Sequence, residues 1–355
     1  GMADALTDTD LIGRTVPDDR LPVTLQQVIS VHKPRYFKIK LSGNTIFDRD
    51  RLKRIAKELN SASQRYGFSL DGNEQYESFD EFHEAFLQFL DDPSIASFMS
   101  QCLFIEQPVK RENTFCRTTR IPPNLPPVII DEADSSPDSF VEALQLGCRG
   151  VSSKQCKGIY RSLINHARVR IHGPSFLITA EDLTTQAGIN VQQDLALAAL
   201  LGIEHIEKNG HFYVNGMAGA EADEQRRFLQ SHPTLYQCID QTTHLRIIEG
   251  KINLRDLSGP GFATHAYPDF KPGERPWNLW PFHQAHSRNK ISYTLDMKQP
   301  EGIRRFKQLV AVSDIVVENN VPETVERLGV GYQELRKVKP DLIMLRMPAY
   351  GLDGP

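Results

Sequence analysis

Tyr36-Phe37-Lys38-Ile39-Lys40-Leu41 alternates apolar and charged residues with a period of two, the pattern of a strand. Successive side chains on a strand point to opposite faces, so Lys38 and Lys40 share a side and can both face the interior of a barrel. Working outward, short apolar or β-branched runs recur at Phe68–Leu70, Leu103–Ile105, Val128–Ile130, Gly150–Ser152, Phe176–Thr179 and Ile203–Ile206. Helical patterns lie between them. In Asp50–Leu59, Leu52, Ile55, Ala56 and Leu59 mark one face; Phe79–Leu90 and Val191–Leu201 are similar. Strands about 22 to 35 residues apart keep the rhythm of a (β/α)-barrel. An eighth strand is expected near Ala5–Gly13, where the pattern is weak. A doubly wound sheet has the same local rhythm, so the polar residues must separate the two.

Those residues sit at the ends of the expected strands. Asp71 and Asn73 follow the second, Glu106 ends the third, and Asp131 and Glu132 end the fourth. Lys154 ends the fifth, Glu181 and Asp182 follow the sixth, and Glu207 ends the last. Barrel active sites are built at this end of the strands. Carboxylates from successive strands make an oxygen-rich site suited to Mg²⁺ rather than zinc. Lysines on either side of it can address both faces of a carbon acid, and an ammonium near a cation and a second ammonium has its pKa lowered toward use as a base. A single carboxylate at a strand end is more often the N-cap of the next helix, and a single lysine there is usually solvated. The order Lys, Asp, Glu, Asp, Lys is not explained by caps, which never use Lys.

Tyr36-Phe-Lys-Ile-Lys, Leu70-Asp-Gly-Asn, Phe104-Ile-Glu-Gln-Pro, Ile130-Asp-Glu and Ser153-Lys-Gln-Cys-Lys-Gly together resemble the mandelate racemase/muconate lactonizing enzyme family of the enolase superfamily. The lysine-x-lysine pair looks like its muconate-lactonizing subgroup. The resemblance runs from about residue 20 to Phe262, where Gly259-Pro-Gly-Phe is similar to that family's closing segment. It implies an enolase-type (β/α)-barrel over residues 1–264, with Asp71, Glu106 and Asp131 as Mg²⁺ ligands. It further implies Lys40 and Lys154 as acid/bases on opposite faces, with Lys38 assisting Lys40. Asn73 is expected to contact substrate or to support a ligand from behind, and Glu207 to contact substrate or to serve the structure. Glu181, Asp182 and the loop holding His211 would shape the pocket, with His211 itself a satisfied loop histidine. The implied chemistry is removal of a proton α to a carboxylate through an enediolate. About 35 residues precede the first lysine pair, so the family's N-terminal capping domain is expected to be missing.

The character changes after Gly259. Residues 265–290 lie in a stretch rich in Pro, Gly and aromatics that reads as an irregular linker. Ile291–Leu295, the helix Pro300–Val310 and the strands Asp314–Glu318 and Leu342–Leu345 read as a β-α-β-α-β segment. Arg288-Asn-Lys-Ile-Ser-Tyr, Ser313-Asp-Ile-Val-Val-Glu-Asn-Asn, Arg327-Leu-Gly-Val-Gly-Tyr and Tyr350-Gly-Leu-Asp-Gly-Pro are similar to class III (formyl-CoA-type) CoA-transferases. This implies a partial Rossmann-like α/β segment over 291–355, with Arg288 and Lys290 near CoA. The family's catalytic aspartate is expected beyond Gly354-Pro355.

Composition narrows the partners. Forty-one basic residues face 45 acidic ones, for a net charge of −4, which gives no reason to expect a nucleic-acid or membrane partner. The acidic, polar N-terminus does not read as a signal peptide, and Leu195–Ile203 is about half a membrane span. Five cysteines with no C-x-x-C pair fit free thiols in a reducing cytoplasm. The expectation is a cytoplasmic enzyme acting on a small carboxylate, as a homo-oligomer or with a partner chain. The alternatives are CoA-ester binding or transfer by the C-terminal segment, and a fusion with neither activity.

Overall fold

A computed structural model describes residues 5–16, 19–62, 65–116, 120–181, 187–208, 214–257, 293–320 and 322–347. It divides into two compact units, Gly1–His286 and Ser287–Pro355.

The first unit is built on seven parallel strands in sequence order: β1 (Tyr36–Lys40), β2 (Gly67–Asp71), β3 (Cys102–Glu106), β4 (Val128–Ile130), β5 (Gly150–Ser153), β6 (Leu177–Glu181) and β7 (Ile206–Glu207). Each is joined to the next through helical chain, as parallel pairing requires. The sheet rolls until its two edges face each other. Lys38 of β1 places Nζ 2.6 Å from Glu207 Oε2 of β7, and the rings of Tyr36 and His205 meet edge to face at 4.9 Å. The result is a nearly closed barrel.

Two helices show how sequence builds the wall. In α1 (Thr45–Ser61), Asn44 caps the N-terminus by accepting from Phe47 N, and Leu52, Ile55, Ala56 and Leu59 form the buried stripe. In α2 (Phe79–Leu90), Ser78 accepts from Glu81 N, and Phe79, Phe82, Ala85, Phe86 and Phe89 turn inward. Phe82 and Phe89 are fully buried in the core shared with Phe68, Leu70 and Ile105.

Within the first unit the fold departs from the sequence expectations at three places. Ala5–Gly13 is not an eighth strand: Ala5 makes one isolated bridge to Thr24, and Asp8–Leu11 is a 3₁₀ turn. Asp10 Oδ2 accepts from Leu6 N and Thr7 N, so local capping takes up donors that a strand would have offered to a ladder. The last barrel strand begins at Ile206 rather than Ile203. Gly202 ends the preceding helix Ile189–Leu201 in the left-handed region at φ +62°, and Ile203 N donates back to Ala198 O. That Schellman-type closure ties Ile203 to the helix. The hairpin Tyr236–Ile239/Thr242–Leu245 was not anticipated, because its turn residues Asp240 and Gln241 both take positive φ (47° and 66°) without a glycine.

In the second unit the helix Pro300–Ala311 precedes the parallel strands Ile315–Glu318 and Ile343–Arg346. Val310, Val325, Val330, Leu335 and Leu342 are buried, and Val316 and Met344 pack on them. The opposite sheet face carries Ile315, Val317, Ile343 and Leu345, all exposed. The described part of the expected first strand, Tyr293–Leu295, is not in a strand; Ile291 lies outside the described residues, as do Pro260–His286. Among the described residues no helix is long and apolar enough to cross a membrane.

Candidate active site

Strand register gathers the charged groups at one end of the barrel. Lys40 pairs with Asp71, Asp71 with Glu106, and Glu181 with Glu207. Asp131 follows β4 directly, and Lys154 follows β5. All seven strands therefore deliver a charged side chain from their carboxyl ends. Asp71, Glu106 and Asp131 are buried at 1–3% exposure, although the side chains they carry are ionisable.

The contacts form two nests. Lys38 Nζ lies 3.0 Å from Asp71 Oδ2, 3.0 Å from Glu106 Oε1 and 2.6 Å from Glu207 Oε2. Lys40, half exposed, donates to Asp71 Oδ2 at 2.5 Å and Asn73 Oδ1 at 2.6 Å. Across the barrel, Lys154 Nζ is 2.7 Å from Asp131 Oδ2 and 2.5 Å from Glu181 Oε2. Lys157 donates to Asp131 Oδ1 at 2.8 Å, to Asp131 O at 2.7 Å and to Ser152 O at 3.0 Å. Lys38, Lys40, Glu106, Glu181 and Glu207 also line a cavity of about 1100 Å³.

Two loop devices hold the carboxylates in place. Gln107, left-handed at φ +31°, accepts from Asp131 N (2.9 Å) and Ala133 N (3.1 Å) through Oε1 and donates to Val109 O through Nε2. Gly72 lets the loop after β2 lie against the loop after β3: a Cβ there would stand 2.4 Å from Pro108 Cα. Gly72→Ala is expected to lower stability by about 1–3 kcal/mol, the range for forced overpacking. Urea unfolding checks this; an unchanged midpoint would show that the two loops can part.

Electrostatics follow from burial and neighbours. The lowered lysine pKa values expected from sequence belong to a cation-filled site, and the protein's own groups push Lys38 and Lys154 the other way. Burial pulls both down, but Glu106, Asp71 and Glu207 around Lys38, and Asp131 and Glu181 around Lys154, outweigh it and raise both above the ordinary value. Burial pushes the Glu106 carboxyl above its usual range; Lys38 opposes this, and Asp71 and Asp131 reinforce it. Burial also acts upward on Asp131, but Lys157 and Lys154 together hold it below its usual value. Glu132 is raised by burial and by Asp131. A carboxyl raised on folding holds its proton more tightly in the folded state, so folding loses stability as pH rises above the unfolded value of 4.5. Glu132→Gln is expected to flatten that fall, read as urea midpoint against pH; an unaltered slope contradicts it.

The donor set fits a hard divalent cation. Asp71, Glu106, Asp131, Glu181 and Glu207 face Lys38, Lys40, Lys154 and Lys157, Glu132 joins them through Asn73, and Asp134 Oδ2 lies 3.8 Å from Lys157, so carboxylates outnumber ammoniums in this cluster. Oxygens of Glu106, Asp131 and Glu181 lie within 4.8 Å of one another. Glu132 Oε1 accepts from Asn73 Nδ2 at 2.8 Å, while its Oε2 is buried with no hydrogen-bond partner. An all-carboxylate set of this kind suits Mg²⁺.

The structure thus brings together Lys38, Lys40, Asp71, Asn73, Glu106, Asp131, Lys154 and Glu207. Glu106 and Asp131 cluster with Glu181, which sequence reasoning gave only a pocket-shaping place, while Asp71 is turned to the two β1 lysines. Lys157 and Gln107 were not assigned roles. Both stand inside the quoted motifs, at fixed offsets from Lys154 and Glu106, and those offsets were the available signal. Asp182, His211, Arg288 and Lys290 lie outside the described residues.

Comparison with known proteins divides along the chain. Residues 265–355 match the family model of CoA-transferase family III. The succinyl-CoA–L-malate CoA-transferase beta subunit of Chloroflexus aurantiacus is 51% identical over 71 residues, covering 20% of this chain and 18% of that protein. Succinyl-CoA:glutarate CoA-transferase of Mus musculus is 39% identical over 120 residues, covering 28% and 27%. The chain therefore spans under a third of the length of these curated relatives. Among solved structures, a mandelate racemase/muconate lactonizing protein from Herpetosiphon aurantiacus is similar at 19% identity and a TM-score of 0.39, over 52% of this chain and 49% of that one. A dipeptide epimerase from Methylococcus capsulatus complexed with Mg ion is similar at 18% identity and a TM-score of 0.41, over 61% and 56%. The chain carries two likenesses, to CoA-transferase family III at residues 265–355 and to solved proteins of the mandelate racemase/muconate lactonizing group.

Proposed function

We propose that the first unit is an enzyme that removes the proton α to the carboxylate of a small molecule with the help of Mg²⁺. The resulting enediolate is reprotonated, or gains or loses a group, so the class is racemase or epimerase, cycloisomerase or dehydratase. One observation carries this reading: lysines at the ends of β1 and β5 flank a carboxylate cluster supplied from the ends of the other five barrel strands.

Glu106 and Asp131, with Asp71 or with Glu181, would hold the cation. When bound, it draws off carboxylate charge that otherwise raises the lysine pKa values and offsets negative charge developing on substrate oxygens. Lys154 exchanges a proton on one face of the substrate. Lys40, half exposed and held only by Asp71 and Asn73, serves the other face. Lys38 is surrounded by three carboxylates and orients Asp71 beside Lys40. Asn73 and Glu207 would touch substrate. A reducing cytoplasm suits the free thiols.

The test is α-hydrogen exchange. The full chain is incubated with Mg²⁺ in D₂O and a panel of small carboxylates and dipeptides, and deuterium gain is read by NMR or mass. Exchange that requires Mg²⁺ and disappears in Lys40→Ala/Lys154→Ala supports the proposal. No exchange with any panel member, or exchange that survives the double variant, sinks it.

The match of residues 265–355 favours a second reading, CoA-ester binding by the second unit. Arg288 and Lys290 are the residues we assign to it. Titration of the chain with CoA and succinyl-CoA is expected to give saturable heat that Arg288→Ala/Lys290→Ala removes; no heat at millimolar ligand rules it out.

A further inference from the structure

The two lysines of Lys154-Gln-Cys-Lys157 meet the same carboxylate from opposite sides. Lys154 reaches Asp131 Oδ2 from within the cluster, where it also touches Glu181. Lys157 takes Oδ1 and, in addition, the backbone carbonyls of Asp131 and Ser152. An ammonium has three hydrogens, and three acceptors use all of them. Lys157 is therefore saturated by groups that belong to the scaffold, one of them Ser152 of the strand just before it. Asp131 is the residue directly after β4, a strand of only three residues, so its backbone has little ladder to hold it. Lys157 supplies that hold: it ties the end of β4 to β5, fixes the carboxylate plane through Oδ1, and leaves Oδ2 directed at the cluster. Gln107 completes the clamp from the other side by accepting from Asp131 N.

We propose that Lys157 is a positioning residue that locks Asp131 with Oδ2 presented to the cation site, whereas Lys154 competes with the cation for that oxygen. The inference rests on the cation-assisted reading above and divides the two lysines by function. Groups behind a metal ligand that fix its orientation are worth about 10–100-fold in affinity. The neighbours should therefore have opposite effects on binding, although both are ammoniums beside one aspartate.

The experiment uses the full chain and Mg²⁺ itself, titrated by calorimetry, with Lys157→Met, Lys157→Arg and Lys154→Met. Lys157→Met is expected to weaken Mg²⁺ binding about 10–100-fold. Lys157→Arg, which keeps a cation able to donate to Asp131 Oδ1, should bind more tightly than Lys157→Met. Lys154→Met should bind at least as tightly as the unaltered chain. Weakening of equal size at both lysines, or none at Lys157, overturns the proposal. Hydrogen exchange of the peptide spanning Ile130–Ser135 supplies a readout independent of Mg²⁺. Lys157→Met should speed exchange there about 10-fold and Lys154→Met should not, because Lys154 makes no bond to that backbone. If the unaltered chain binds no Mg²⁺ while this exchange contrast holds, the cation reading fails and the clamp stands. Unchanged exchange in Lys157→Met removes the clamp itself.

Discussion

Replacing Asp131 with Asn is expected to destabilise the first unit by about 3–5 kcal/mol, the cost of breaking a buried ion pair from one side. The side chain is 3% exposed, and both of its oxygens are engaged, Oδ1 by Lys157 and Oδ2 by Lys154. Those ammoniums are themselves largely shielded, at 14% exposure each. Asn keeps the shape and one carbonyl oxygen but removes the charge that holds two buried cations together. The measurement is urea unfolding of the full chain, followed by a probe of the first unit, at a pH where the carboxylate is ionised. Asp131→Asn/Lys157→Met should recover part of the loss, because it removes one of the stranded charges. A single-variant loss below about 1 kcal/mol would mean that these pairs behave like screened surface pairs.

The second large effect is kinetic. Lys154→Ala is expected to slow Mg²⁺-dependent α-hydrogen exchange by about 10²–10⁴-fold for one enantiomer of a chiral substrate. This corresponds to about 3–5 kcal/mol in the barrier. The other enantiomer, served by Lys40, should lose far less. The asymmetry follows from position: Lys154 stands after β5 against Asp131 and Glu181, and Lys40 ends β1 against Asp71 and Asn73. Lys40→Ala should show the mirror-image preference. Equal losses for both enantiomers in both variants would mean that the lysines act only through the shape or charge of the site.

Much of the barrel was legible in sequence because buried parallel strands are short apolar runs and their polar endings break the pattern sharply. Val128–Ile130 and Phe79–Leu90 occur as read, since the first has no polar residue and the second has five inward positions in a clear helical stripe. The end of the run was harder. Ile203 looks like strand but belongs to a helix cap, and the difference lies in the left-handed turn at Gly202. Ala5–Gly13 lost its strand to one aspartate, Asp10, whose acceptor oxygen satisfies two backbone donors locally. In the site, side-chain types at strand ends were legible, whereas their partners were not. Which carboxylates cluster depends on side-chain reach, so Glu181 joining Glu106 and Asp131 could be seen only in three dimensions. Lysine pKa direction likewise depends on how many carboxylates surround each ammonium, and three meet Lys38.

The seam between β1 and β7 changes what the site means for the rest of the molecule. In most enzymes, clustered charges strain the fold, and neutralising them yields a sturdier, less active protein. Here Lys38 spans the seam to Glu207 and also grips Asp71 and Glu106, so the proposed reaction centre doubles as a clasp. Loss of Lys38 would loosen the barrel whatever it did to the proposed chemistry. A lineage that stopped using the chemistry would still be held to the lysine by the need to stay folded.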